Sequence, residues 1–210
     1  MWLIFWKNDT CTKEIYIKWV IILKRKRIAL IAVLFTAIFI GIVLFISSNK
    51  IILKIVYPLK FSEEVNKYSQ EFDIDPLLVF AVMKAESNFD RYAASGKGAK
   101  GLMQITDKTG IWAAEKIGIK DFSSANLFIP DTNIHIGCWY LSKLKKQFNG
   151  DITLAITAYN GGSGRVQEWL KNEELSSTGK SLEKIPFIET DKYVKKVLRE
   201  YEIIKYIYGE

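Results

Sequence analysis

Residues 80–90 read FAVMKAESNFD, an apolar run that ends in a glutamate on its own apolar side. On a helix, Glu86 falls three, four and seven residues after Met83, Val82 and Val79 and continues their stripe. Such surroundings disfavour the ionised carboxylate, so beside a cleft Glu86 would hold its proton to higher pH and could serve as a general acid near neutrality. The competing reading is a glutamate at a fraying helix end, turned to water. Helix position alone favours that second reading, because perturbed acids are uncommon outside functional sites.

Outward from this run, helix signals dominate. Asp75-Pro76 places a capping side chain before a proline at the first helical position. Upstream, Ser62 precedes Glu63-Glu64 and a helix to about Phe72. Downstream, AASGKGAKG (93–101) is a glycine-rich loop, and Thr106 or Asp107 caps a helix through Ile117. Asp131 opens another helix, with Ile134, Cys138 and Leu141 on one stripe, that ends at Asn149-Gly150. Asp151 caps a short helix to Tyr159, stopped by Asn160-Gly161-Gly162. Residues 172–184 read as an exposed loop, and 191–208 as a last amphipathic helix through Tyr193, Val197 and Tyr201. The glycine loop is no phosphate cradle, since no Gly-Lys-Ser/Thr follows it and no strand precedes it.

Further upstream, residues 28–46 (IALIAVLFTAIFIGIVLFI) form 19 positions without a charge. A helix of that length spans roughly 29 Å, near the thickness of a bilayer core. It reads as a transmembrane helix, and the weak match of Ser47-Ser48 to a cleavage site argues for an uncleaved anchor. Lys24, Arg25, Lys26 and Arg27 abut its start, whereas the far flank offers Lys50, Lys54 and Lys60. The positive-inside rule then makes 1–27 a cytoplasmic segment, 47–60 a juxtamembrane linker and 61–210 one extracytoplasmic domain. The apolar patches MWLIFW and IYIKWVIIL precede the basic cluster, an order unlike a signal anchor. This leads to the expectation that translation starts at Val20 or Leu23, which the intact mass of the native protein would test.

The formal charge of +7 is local: residues 1–50 hold eight Lys/Arg against two acids, and 51–210 hold 22 against 21. A near-neutral domain gives no reason to expect nucleic-acid binding. Two cysteines, Cys11 and Cys138, lie on opposite sides of the apolar span, so no disulfide framework is expected. One histidine, His135, reads as a solvated helix residue, and no cluster has metal-ligand spacing; neither metal nor cofactor is expected.

Individually, the remaining motifs admit bland readings. Gly101-Leu102-Met103-Gln104 is a turn and an apolar anchor, or a close-approach loop in which Gln104 offers a ligand both a donor and an acceptor. Ala158-Tyr159-Asn160 is a helix ending on its cap, and Tyr193 and Trp139 are core aromatics by default. Jointly, Glu86-Ser87, GLMQI (101–105), AYNGG (158–162) and IPFIETDKYV (185–194) stand in the order and approximate spacing of the soluble lytic transglycosylase family of lysozyme-like peptidoglycan enzymes. The chain resembles that family over about residues 60–208.

The resemblance implies an α+β, mainly α, lysozyme-like domain with peptidoglycan glycan strands as partner, and the apolar run read above places one transmembrane helix before it. It implies Glu86 as a single catalytic acid/base, where ordinary glycosidases use two carboxylates. Carried over in the same way, Ser87, Met103, Gln104, Tyr159, Asn160 and Tyr193 orient Glu86 or bind substrate. Within that set, Tyr193 is expected to hydrogen-bond the acid, Gln104 and Asn160 to contact sugar amides, and Met103 to line the cleft. Glu189 is expected as a structural or binding residue. Two alternatives stay open: a hydrolase on the same scaffold, with Asp90 as the nearest candidate base, and a non-catalytic glycan-binding module.

Overall fold

The computed structural model describes residues 10–209, so the MWLIFW patch falls outside the described residues. The chain divides into two compact units, Met1–Val56 and Tyr57–Glu210.

In the first unit, helix α1 (Thr10–Ser48) is continuous, so the basic run 24–27 lies inside a helix rather than before one. The stretch Lys13–Ile46 is long and apolar enough to cross a membrane, and none of its most apolar window is buried. The expected linker is partly helical: α2 (Lys50–Val56) follows directly. Asn49 starts it, its side-chain oxygen accepting from Ile51 N and Ile52 N at 3.1 and 3.3 Å.

The second unit is built around α4 (Pro76–Ser87). Asp75 caps it by accepting from Leu77 N at 2.8 Å, and the following proline stands where no backbone donor is needed. Leu78 through Met83 are all buried, so α4 is enclosed on every side rather than along one stripe. At roughly 1.5–3 kcal/mol for each large apolar side chain, this helix is a principal source of the domain's stability. Around it pack α3 (Ser62–Phe72) and α9 (Ile188–Tyr208), while α6 (Pro130–Gln147) rests on α3 and on α7 (Ile152–Gly161). Tyr57 and Leu59, read as linker, pack against this core.

The remaining elements are short. Strands β1 (Ala99–Lys100) and β2 (Ile105–Thr106) form an antiparallel hairpin, followed by α5 (Asp107–Ile117), a 3-10 turn (Ser124–Phe128) and, after α7, α8 (Ser163–Leu170). The expected caps Thr106 and Asp151 each accept a backbone N–H of the following turn, at 3.3 and 2.8 Å. α9 begins at Ile188, three residues earlier than the sequence pattern. Two expectations need correction. His135 is not solvated: its ring stacks on Tyr68 at 4.2 Å and Phe72 at 5.5 Å, and burial holds its pKa below the ordinary value. The 172–184 loop is not uniformly exposed: Leu175 and Leu182 are half-buried against the core, and Ser176 is buried, its hydroxyl donating to Ser181 O at 2.6 Å.

Candidate active site

Glu86 stands in the last turn of α4, where the core helix reaches a cleft. The helix stops because Asn88 and Phe89 both take left-handed backbone, φ 52° and 64°. Non-glycine residues in that region are uncommon, and strain of this kind is retained where surroundings over-determine it. Here Phe89 is buried against Phe80, with ring centroids 6.5 Å apart. The turn therefore fixes the end of α4 and the direction of its acid.

Burial pushes the Glu86 carboxyl up to about 7. The carbonyl end of a helix is itself unfavourable to a carboxylate. Two groups oppose the rise: Tyr193 donates its hydroxyl to Glu86 Oε1 at 2.7 Å, and the Lys196 ammonium lies close enough to favour the charged form. Lys196 is fixed by donating to the Ala85 carbonyl, one of the free acceptors at the end of α4. Both partners come from α9, one turn apart on a helix that packs along α4. The result is a carboxyl group that exchanges its proton near neutral pH.

The cleft beside Glu86 has a volume of ≈ 410 Å³. One wall is the hairpin region, with Ser95, Lys97, Gln104 and Thr106; the other comprises Tyr159, Asn160 and Arg165 with Phe187 and Glu189. Of the residues expected at the site, Glu86, Gln104, Tyr159, Asn160 and Glu189 line this space. Gln104 takes a left-handed backbone, φ 49°, and its amide nitrogen donates to Ala93 O and Gly101 O at 3.1 and 3.0 Å, which fixes the orientation of the side chain. The Tyr159 hydroxyl donates to Met103 O at 2.9 Å, tying one wall to the other.

Met103 and Ser87 do not line the cleft. Met103 is fully buried, and a Cβ added at Gly137 would lie 2.1 Å from its sulfur, so its side chain occupies the groove that Gly137 leaves on α6. That corrects the expectation that Met103 lines the cleft: only its carbonyl, as the acceptor for Tyr159, reaches the site's framework. The Ser87 hydroxyl donates to Leu102 O at 2.8 Å and to Met83 O at 3.2 Å, so it fastens the end of α4 to the 101–104 turn.

That turn is organised by a residue that no motif or periodicity singles out. Asn133, fully buried on α6, accepts from Met103 N at 2.8 Å and donates to Lys100 O at 2.9 Å and Leu127 O at 2.7 Å. Gly101 is required beside it, having φ 73° and room for no Cβ: one would lie 2.1 Å from Leu127 O. Lys97, Arg165 and Phe187 were also missed. Lys97 pairs with Glu189 at 2.8 Å across the two walls, both groups largely exposed. Arg165 donates to Gly161 O at 2.7 Å and lies over the Phe187 ring. Asp90, the candidate second base, is absent from the cleft lining, and its carboxylate accepts from Tyr92 N at 2.9 Å in its own turn.

A mainly helical domain that carries a buried glutamate of raised pKa at the end of its core helix, in a cleft walled by a small hairpin, defines a lysozyme-like class of protein. The chain belongs to the transglycosylase SLT domain family, whose sequence model matches residues 63–181. It is 34% identical over 156 residues to the soluble lytic murein transglycosylases of Salmonella typhimurium and Escherichia coli, covering 73% of this chain and 24% of each relative. It is 32% identical over 136 residues to the membrane-bound lytic murein transglycosylase C of Serratia proteamaculans, covering 57% of this chain and 36% of that one. Among solved structures, it resembles the 70 kDa soluble lytic transglycosylase in complex with bulgecin A (TM-score 0.68, 33% identity, 76% of this chain and 26% of that one). It also resembles an inactive glutamate-to-glutamine mutant of the lytic transglycosylase Slt of Pseudomonas aeruginosa (TM-score 0.65, 35% identity, 73% and 25%). The chain thus spans about a quarter of the length of the first relatives it matches.

Proposed function

We propose that the protein is a membrane-anchored peptidoglycan lytic transglycosylase that cleaves the β-1,4 bond between N-acetylmuramic acid and N-acetylglucosamine without water, leaving 1,6-anhydro-muramic ends. The observation that carries this reading is Glu86, protonated to about 7, in the cleft and hydrogen-bonded by Tyr193 at 2.7 Å. Among the described lining residues, the other carboxylate is Glu189, and it is paired with Lys97. A one-acid mechanism suits that arrangement better than the paired carboxylates of ordinary glycosidases.

In the proposed reaction, Glu86 gives its proton to the glycosidic oxygen as the bond from that oxygen to muramic C1 breaks. The substrate's own N-acetyl oxygen bonds to C1 and relieves the positive charge. The Glu86 carboxylate then takes the proton of the muramic 6-hydroxyl, whose oxygen bonds to C1 as the acetamido oxygen leaves. Glu86 ends protonated again, and no water is consumed. A group that donates and then accepts works best with its pKa near ambient pH, and burial supplies that here. Gln104, Tyr159 and Asn160 hold the sugar amides and rings, the exposed Phe187 face stacks on a sugar, and Ser87 and Tyr193 position the acid.

Mass spectrometry of digested peptidoglycan tests the chemistry, because anhydro ends are one water lighter than reducing ends. Mostly reducing ends would replace this reading with a hydrolase on the same scaffold. Glu86→Gln should abolish cleavage while wall binding persists; retained cleavage removes Glu86 from the mechanism.

The anchor is residues 28–46 of α1, with the N-terminus cytoplasmic and the domain outside. An apolar helix with none of its most apolar window buried, basic residues at 24–27 and resemblance to a membrane-bound relative support it.

A further inference from the structure

A second and larger concavity, ≈ 830 Å³, lies away from Glu86 between α3, α5 and α6. Its apolar floor is Phe72, Ile117 and Trp139, and three ammonium groups stand round it: Lys116, Lys143 and Lys146. Its carboxylate, Glu71, lies 3.5 Å from His135 Nε2 and is half exposed. Lys116 is paired with the exposed Glu115 at 3.4 Å, and Lys143 and Lys146 give the trough a local positive excess within a near-neutral domain.

A chain of packed aromatic rings links one wall of the active-site cleft to the trough. Tyr159, a wall of the cleft, packs on Tyr140 with centroids 5.3 Å apart; Tyr140 packs on Trp112 at 6.1 Å, and Trp112 on Trp139 at 4.9 Å. None of the four rings is fully buried. Lys143 Nζ lies 5.3 Å from the Trp112 ring and 5.9 Å from that of Trp139, holding a charge over the aromatic path. Partly exposed indole faces offer apolar platforms for sugar rings, and the lysines beside them fit carboxylates.

We infer that this trough is a second, non-catalytic binding site for peptidoglycan, its rings meeting sugars and its lysines the carboxylates of the stem peptides, which receives a strand that also passes through the Glu86 cleft. The inference rests on the proposed substrate but not on the proposed chemistry. The second site holds the polymer to the enzyme between cuts, and a short glycan fragment that fills the cleft alone does not reach it. Trough and cleft therefore separate by substrate length.

The test uses the full chain in detergent. In a Glu86→Gln background, binding is measured to insoluble peptidoglycan stripped of phosphodiester polymers, with and without Lys116→Glu/Lys143→Glu/Lys146→Glu. Charge reversal should weaken binding about tenfold at low salt, with the difference vanishing at ~1 M salt. The Lys→Arg triple variant should bind like the parent, and thermal melts of both triples should match it. In the active protein, the triple reversal should leave turnover of a short soluble fragment unchanged and raise KM for the polymer. Equal polymer binding by parent and reversal variant overturns the inference, as does a loss confined to anionic vesicles or phosphodiester polymer. If reversal weakens wall binding but products carry reducing ends, the transglycosylase reading falls and the second site stands.

Discussion

Glu86 is the residue on which burial and chemistry meet, and its proton has a thermodynamic consequence. The folded chain holds that proton to about 7, against an ordinary 4.5. Between those values the folded state binds more protons than the unfolded state, so stability is highest at acid pH and falls as pH rises through the folded value. The full shift corresponds to about 3 kcal/mol, and partial exposure of Glu86 brings the expected loss to roughly 1–3 kcal/mol. Glu86→Gln removes it, so denaturant unfolding should show wild type losing stability relative to the variant between about pH 4 and about pH 8. Parallel profiles would show that the group is not buried as described. Tyr193→Phe acts oppositely to a mere loss of packing. It deletes a hydrogen bond that favours the charged carboxylate, so the alkaline limb of kcat/KM should move to higher pH while the maximum falls roughly 10- to 100-fold. A lower maximum with an unmoved limb would mean that Tyr193 does not act on Glu86. At this scale the register of Glu86 with Val79, Val82 and Met83 was legible because it is local, whereas its reading as an acid rested on the family resemblance, since helix position alone favoured a solvated end. Lys97, Arg165 and Phe187 were not, because their place at the cleft depends on contacts between distant segments.

The elements that were legible carry their own end signals. Asp75-Pro76, Thr106 and Asp151 each cap the helix that their side chains announce. Those missed were short: α2, α8 and the two-residue strands give too few residues for a periodicity, and the hairpin exists because Asn133 holds the turn between its strands. Met103 was misplaced for a related reason: the absence of a side chain at Gly137, which makes room for it, lies on another helix. Asn133→Ala strands Met103 N, Lys100 O and Leu127 O in a region that excludes water, and should destabilise the domain by about 2–5 kcal/mol. Gly101→Ala forces a Cβ against Leu127 O and Asn133 in a left-handed conformation, at a cost of similar size. Because both changes break the same turn, the double variant should lose distinctly less than the sum of the two, measured by chemical denaturation. Strict additivity would show that the turn is not one unit. Each single variant should also lose cleavage at temperatures where it stays folded, since Gln104 and the acceptor for Tyr159 ride on that turn.

At the scale of the whole molecule, the proposed activity requires the cleft to lie outside the membrane, and the charges flanking the apolar span bear on whether it does. Lys24 to Arg27 sit directly before residues 28–46, whereas Lys50, Lys54 and Lys60 are spread over the far flank. Positive charge close to a span end is generally retained in the cytoplasm, and on that ground we propose that residues after 50 lie outside. The continuity of α1 from Thr10 is compatible with that proposal, because a helix longer than a bilayer is thick can project beyond it on the charged side. In intact cells stripped of wall, added protease should therefore digest the domain while a tag placed at the N-terminus stays protected until the membrane is opened. Replacing residues 24–27 by glutamines and adding four lysines after Ser48 should invert the pattern in a measurable fraction of molecules and remove wall cleavage in that fraction, although purified protein cleaves normally in detergent. A domain protected in intact cells from the outset would contradict the orientation, and with it the access of Glu86 to its proposed substrate.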